Sequence, residues 1–140
     1  MCHSGIALRR GIDNSPGPDE IINMKRFALL VYDSLHAFFR LRITSGFRCP
    51  TLNSAVGGSK TSAHLDGRAA DFKIGAPTLN IGRLLPIARK YTEFDQIIVE
   101  FGGVWIHIGI AKTGEQPRGE ILESYMVGDE VKYRPWEGAK

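Results

Sequence analysis

Apolar residues recur at helical spacing between Asp19 and about Phe39: Ile21, Ile22, Met24, Phe27, Leu30, Val31, Leu35 and Phe38. The pattern predicts the longest helix of the chain, capped by Asp19 after Pro18, with an apolar stripe that covers a sheet. Leu41 to Ser45 alternates and reads as a strand that Gly46 ends. Pro50 to Val56 reads as a short helix, and Gly57-Gly58-Ser59 as a break. A second apolar set, Leu79, Ile81, Leu84, Leu85, Ile87 and Ala88, predicts a helix from Thr78 to about Tyr91. Pro86 should kink or split it, because proline removes a backbone donor. Gln96–Phe101 and Val104–Ile110 read as strands joined by a tight Gly102-Gly103 turn. Lys112 to Gly119 reads as loop, and Glu120 to Val127 as one more strand. Residues 1–18 read as an irregular arm and 128–140 as a peripheral tail. Strands, tight hairpins and flanking helices together indicate an α+β fold with a mainly antiparallel sheet.

Candidate chemistry lies where those strands turn. Ser62-Ala-His64-Leu-Asp66-Gly67-Arg68-Ala-Ala-Asp71 carries two possible metal ligands, His64 and Asp71. Fully extended, the steps between them would span about 23 Å, too far to share one ion. Asp-Gly is a strong two-residue hairpin signal, and a turn at Asp66-Gly67 removes the difficulty. It would set Leu65 opposite Arg68, His64 opposite Ala69 and Ser62 opposite Asp71. Ser62, His64, Ala69 and Asp71 would then share one face, with the small Ala69 leaving room beside an imidazole and a carboxylate suited to zinc.

The Gly102-Gly103 turn completes the set. It places Phe101 opposite Val104, Glu100 opposite Trp105 and Ile98 opposite His107. Val104, Ile106, Ile108 and Ile110 then form a core face, while Trp105, His107 and Glu100 share the other. Glu100 and His107 become diagonal neighbours, roughly 7–8 Å apart at the backbone. That separation suits a metal ligand and a base acting on water at the same metal. Two histidines and one carboxylate with a fourth position open is the pattern of catalytic zinc. The plainer alternatives are a hydrogen-bonded strand histidine and a solvated Glu100.

Composition changes this picture little. The chain has 140 residues, 43% of them hydrophobic, which is ample for one domain with a real core. Eighteen Lys and Arg against fifteen Asp and Glu give a charge of +3. That suits an anionic partner such as a wall polymer or nucleic acid, but a solvated surface is the plainer reading, and no run of basic residues forms a patch. Cys2 and Cys49 do not make a disulfide framework. The start lacks the apolar centre of a signal peptide, and Phe27–Tyr32 is too short to span a bilayer. Synthesis in the cytoplasm without membrane insertion is the expectation. His3 has no motif around it, and His36 reads as a surface residue of the helix end.

Thr44-Ser45-Gly46-Phe47-Arg48, Leu52-Asn53, Ala55-Val56-Gly57-Gly58, Ser62-x-His64-x-x-Gly67-x-Ala69-x-Asp71 and Trp105-Ile106-His107 carry a resemblance. Over residues 19–110 the chain resembles the zinc D-alanyl-D-alanine carboxypeptidases, a family that includes phage endolysins cutting L-alanyl-D-glutamate bonds and shares the hedgehog fold. The resemblance implies one zinc per chain, held by His64, Asp71 and His107. It implies Arg48 as the group that holds a substrate carbonyl or carboxylate, with Ser62 and Trp105 on the substrate side. Several members carry their acidic base three residues before the last histidine, where this chain has Val104. A subset of small phage-type members has this Glu-then-Trp-x-His arrangement, which implies Glu100, on the site face by hairpin parity, as the base.

The implied function is hydrolysis of the peptidoglycan stem peptide, of carboxypeptidase or endopeptidase type, by a monomer. The chain would act on the wall after release from the cell or as part of a virion. The alternative is an inactive, zinc-stabilised binding module of the same fold.

Overall fold

The computed structural model describes residues 4–74 and 81–138. Six strands among them form one sheet in the order β1-β2-β4-β3-β5-β6: β1 Leu41–Ser45, β2 Ala69–Ile74, β3 Gln96–Glu100, β4 Trp105–Gly109, β5 Glu120–Val127 and β6 Glu130–Pro135. Neighbours pair antiparallel except β3 and β5, which run parallel. The arrangement is α+β, as the hydrophobic pattern predicts, and is consistent with the hedgehog-like fold.

Alternation along the strands gives the sheet two unlike faces. Phe72, Ile97, Val99, Ile106, Ile108 and Ile121 are buried on one. Phe27, Val31 and Leu35 of the long helical stretch, and Leu84, Leu85 and Ala88 of the later helix, pack over them. Asp71, Ile98, Glu100, Trp105 and His107 lie at the intervening positions and face the other way.

The long helical stretch comprises α2 (Pro18–Phe27), a π-helical turn (Ala28–Tyr32) and α3 (Asp33–His36). Gly17 caps it and Pro18 takes the first position, so Asp19 sits inside the first turn rather than at the cap. The buried stripe is Phe27, Val31, Leu35 and Phe39, every fourth residue. A four-residue step overshoots a 3.6-residue turn by about 40°. The wide turn, in which the Asp33 N–H donates to the Ala28 carbonyl, takes that excess back and keeps the stripe straight. Ile21, Ile22 and Phe38, expected in the stripe, are exposed.

Other departures have local causes. A helix, α1 (Gly5–Arg10), stands inside the stretch read as an irregular arm; Ser4 caps it and left-handed Gly11 ends it. After α4 (Pro50–Ala55), the next helix, α5 (Ile81–Tyr91), runs through Pro86. Pro86 and Gly82, whose carbonyl the proline cannot bond, are both exposed, so water serves that carbonyl. The predicted start of this helix at Thr78 lies outside the described residues. Beyond Gly128 the chain forms the edge strand β6, and Trp136 packs partly against the core. No helix among the described residues is long and apolar enough to cross a membrane.

Candidate metal centre

Asp66-Gly67 is not a hairpin turn. Ala63–Asp66 is a single 3-10 turn, and left-handed Gly67 ends it. A two-residue hairpin of the Asp-Gly type needs both residues left-handed. Among the described residues Phe101 is the non-glycine with positive φ, so Asp66 does not qualify. Its carboxylate instead takes the Arg68 guanidinium at 2.8 Å, and Arg68 also donates to the Ile110 carbonyl. A Cβ at Gly67 would meet the Glu20 carbonyl oxygen at 2.6 Å, so only glycine lets α2 press against this turn. The amide of Asn23 on α2 donates to the Asp66 carbonyl and fixes the contact.

The turn nevertheless delivers His64 to Asp71. β2 starts directly after it, so Asp71 lies opposite His107 of β4 and Ser45 of β1, not opposite Ser62. Ser62 caps the 3-10 turn, its hydroxyl accepting the His64 N–H at 3.2 Å. The β3–β4 register is the predicted one, with Glu100 against Trp105 and Ile98 against His107. The connection is wider than two residues, because Phe101 joins the two glycines in the left-handed region. Val104, expected on the core face, belongs to this loop and is 58% exposed.

Three donor atoms meet as a result. His64 Nε2 lies 3.2 Å from Asp71 Oδ1 and 3.2 Å from His107 Nδ1, and His107 Nδ1 lies 3.0 Å from Asp71 Oδ1. His64 is 1% exposed, while Asp71 and His107 remain partly open. His64 Nδ1 is 2.7 Å from the Gly46 carbonyl oxygen, which can only accept. Nδ1 therefore carries a proton, which leaves Nε2 as the nitrogen that meets Asp71 and His107 and that a metal would take. Two imidazole nitrogens and a carboxylate oxygen crowded together form a donor set that one cation could share. The edges of a tetrahedron with zinc-like bonds are roughly 3.3 Å, close to the triangle observed. These residues could hold a metal ion. Burial pushes the Asp71 carboxyl up, but the bonds from His107 and His64 and their charge outweigh it and hold the group well below the usual carboxylate range.

The triad lies in a cleft of about 580 Å³ that Glu100, Arg48, Ser62 and Trp105 also line. The residues singled out in the sequence are thus all gathered at one place. Arg48 follows β1 on a loop clamped from two sides. Its own N–H donates to the His64 carbonyl, and the Asn14 side chain bonds the residues on either side of it, donating to the Phe47 carbonyl and accepting from the Cys49 N–H at 2.7 Å. Burial lowers the Arg48 pKa, the Asp71 charge raises it, and the net shift is downward. Its Nε is buried with no hydrogen-bond partner among the described residues, while the residue itself lines the cleft.

A family model described as Peptidase M15 matches residues 2–109. The chain belongs to the peptidase M15 family. No curated protein matches it. The family implies a metallopeptidase, and His64, Asp71 and His107 could hold its metal. Two contributors escape sequence reading: Asn14 and the Gly46 carbonyl. An asparagine in a Gly- and Pro-containing arm signals only a turn, and a backbone oxygen carries no residue signature.

Proposed function

We propose that this M15 peptidase is a zinc enzyme hydrolysing peptide bonds in the peptidoglycan stem peptide, as a small lysin or wall-processing enzyme. The observation that carries the reading is the triangle of His64 Nε2, Asp71 Oδ1 and His107 Nδ1 inside a cleft shared with Glu100 and Arg48. Zinc held by the three would lower the pKa of a bound water towards ~7 and polarise the scissile carbonyl.

The rest falls to the chain's own side chains. Glu100, on the same sheet face as His107, takes a proton from the attacking water and returns it to the leaving amine. Arg48, which lines the cleft, offers its guanidinium to the substrate's carboxylate or to charge developing on the carbonyl. Trp105, set edge-on against Phe101, forms an apolar side of the cleft, and Ser62 keeps the His64 turn in shape while facing substrate. The Gly46 carbonyl fixes the His64 tautomer that a metal requires.

Purified zinc-loaded protein incubated with purified peptidoglycan tests this reading. Mass spectrometry should detect peptide products that chelation abolishes. A single terminal residue would mark a carboxypeptidase, and a new internal amino terminus an endopeptidase. Bound zinc with no product from any wall would favour the inactive binding module instead.

A further inference from the structure

The rows of residues across the sheet define a direction for the cleft. One row runs Ser45, Asp71, His107, Ile98 and Leu122 from β1 to β5. The next runs Trp105, Glu100, Ser124 and Tyr133 from β4 to β6. Ser124 enters this row by continuing the β3–β5 register one residue past Val99–Glu123, and its hydroxyl accepts the Phe101 N–H at 3.1 Å. Arg48 stands beyond β1 at one end of these rows. At the other end β6 contributes Val131 and Tyr133 to the cleft wall.

β5 and β6 lie beyond residue 109, where the match to the family ends. Yet they close the far side of the cleft that holds the metal triad. Tyr133 and Val131 are 54% and 42% exposed, large apolar surfaces turned to the same space. The Tyr133 hydroxyl is raised in pKa by burial and then by the charge of Glu100, which places the two side chains in one environment. β4 and β6 are three strand spacings apart, roughly 14 Å at ~4.8 Å each. An extended peptide advances about 3.3–3.6 Å per residue and covers that distance in about four residues.

We propose that the β5–β6 hairpin, through Tyr133 and Val131, forms a subsite for the part of a peptide substrate that lies three or four residues from the metal, so that the cleft selects long peptides over short ones. This rests on the peptidase reading for the identity of the peptide, while the wall itself follows from the strand rows. The aromatic face and the valine suit the aliphatic backbone and methyl groups of a stem peptide crossing the strands. Trp136, whose N–H donates to the Ile121 carbonyl, ties down the end of β6 and gives the wall a fixed position.

The test compares wild type, Tyr133→Ala and Tyr133→Phe, all zinc-loaded, for binding of two probes by titration calorimetry. The probes are a synthetic stem pentapeptide and an acetylated D-Ala-D-Ala dipeptide, with hydrolysis followed in the same samples. Tyr133 is half exposed on an edge strand, so its truncation leaves the core and the triad untouched. Tyr133→Ala should bind the pentapeptide roughly tenfold more weakly and the dipeptide like wild type, with unchanged zinc. Tyr133→Phe should restore pentapeptide binding. Equal losses on both probes, an unchanged pentapeptide affinity, or no binding of the pentapeptide by wild type would each overturn the subsite. Pentapeptide binding without hydrolysis would overturn the peptidase reading and leave the subsite standing.

Discussion

On one face of the sheet Phe72, Ile106 and Ile108 are packed under helices; on the other, one residue along the same strands, Asp71 and His107 meet at the floor of an open cleft. The side-chain period of two separates these roles with no chain spent between them. The buried face stabilises by removing apolar surface from water. The cleft face gathers lone pairs and charges that contribute little to stability and derive their value from what they bind. Neighbouring residues should therefore fail in different ways when changed.

The largest expected effect lies on the cleft face. Glu100→Gln keeps the size of the side chain and removes its capacity to take a proton, so hydrolysis of purified peptidoglycan should fall ~10²–10⁴-fold. Zinc content and thermal midpoint should match wild type. Loss of zinc together with activity would instead make Glu100 part of the metal shell. The matching change on the buried face, Phe72→Ala, should cost about 3–5 kcal/mol in denaturant unfolding. The protein that remains folded should still bind zinc; if stability were retained and zinc lost, the two faces would not be separable.

Arg48→Lys tests the cleft edge. Lysine keeps the charge but loses the planar fork, and one charge-assisted bond is worth ~1.5–3 kcal/mol, so activity should fall roughly 10–100-fold with normal folding. Wild-type turnover would remove Arg48 from the reaction. The smallest effect belongs to Asn14→Ala. It strips the Phe47 carbonyl and Cys49 N–H of their partner, which should cost about 1–3 kcal/mol of stability and raise KM more than it lowers kcat. A loss of kcat alone, with KM unchanged, would mean that the clamp does not act through Arg48.

The two hairpin readings differ in how far sequence carried them. Gln96–Glu100 and Trp105–Gly109 alternate on both sides of a glycine pair, so register, core face and site face all follow from one count. At Asp66-Gly67 the sequence reports that a left-handed residue is present but not whether it closes a hairpin or ends a 3-10 turn. Packing of Glu20 and Asn23 against the turn decides that, from a helix more than forty residues away. His64 and Asp71 still meet, because either geometry reverses the chain. Asn14 was illegible for the same reason: its partners lie 33 and 35 residues on, and nothing local marks them. β6 is hard to read because its alternation is short, Val131 and Tyr133 between charged residues, and the strand is exposed throughout. The apolar stripe of the long helix was misphased because a π-helical turn cannot be read from a pattern that presumes 3.6 residues per turn.

The central claim is that His64, Asp71 and His107 hold one catalytic zinc. Metal analysis of purified wild type, His64→Ala and His107→Ala, each checked for folding by circular dichroism, tests it most directly. Wild type should carry about one zinc per chain, and both variants should lose it while keeping their secondary structure. Wild-type zinc stoichiometry in both variants would contradict the assignment.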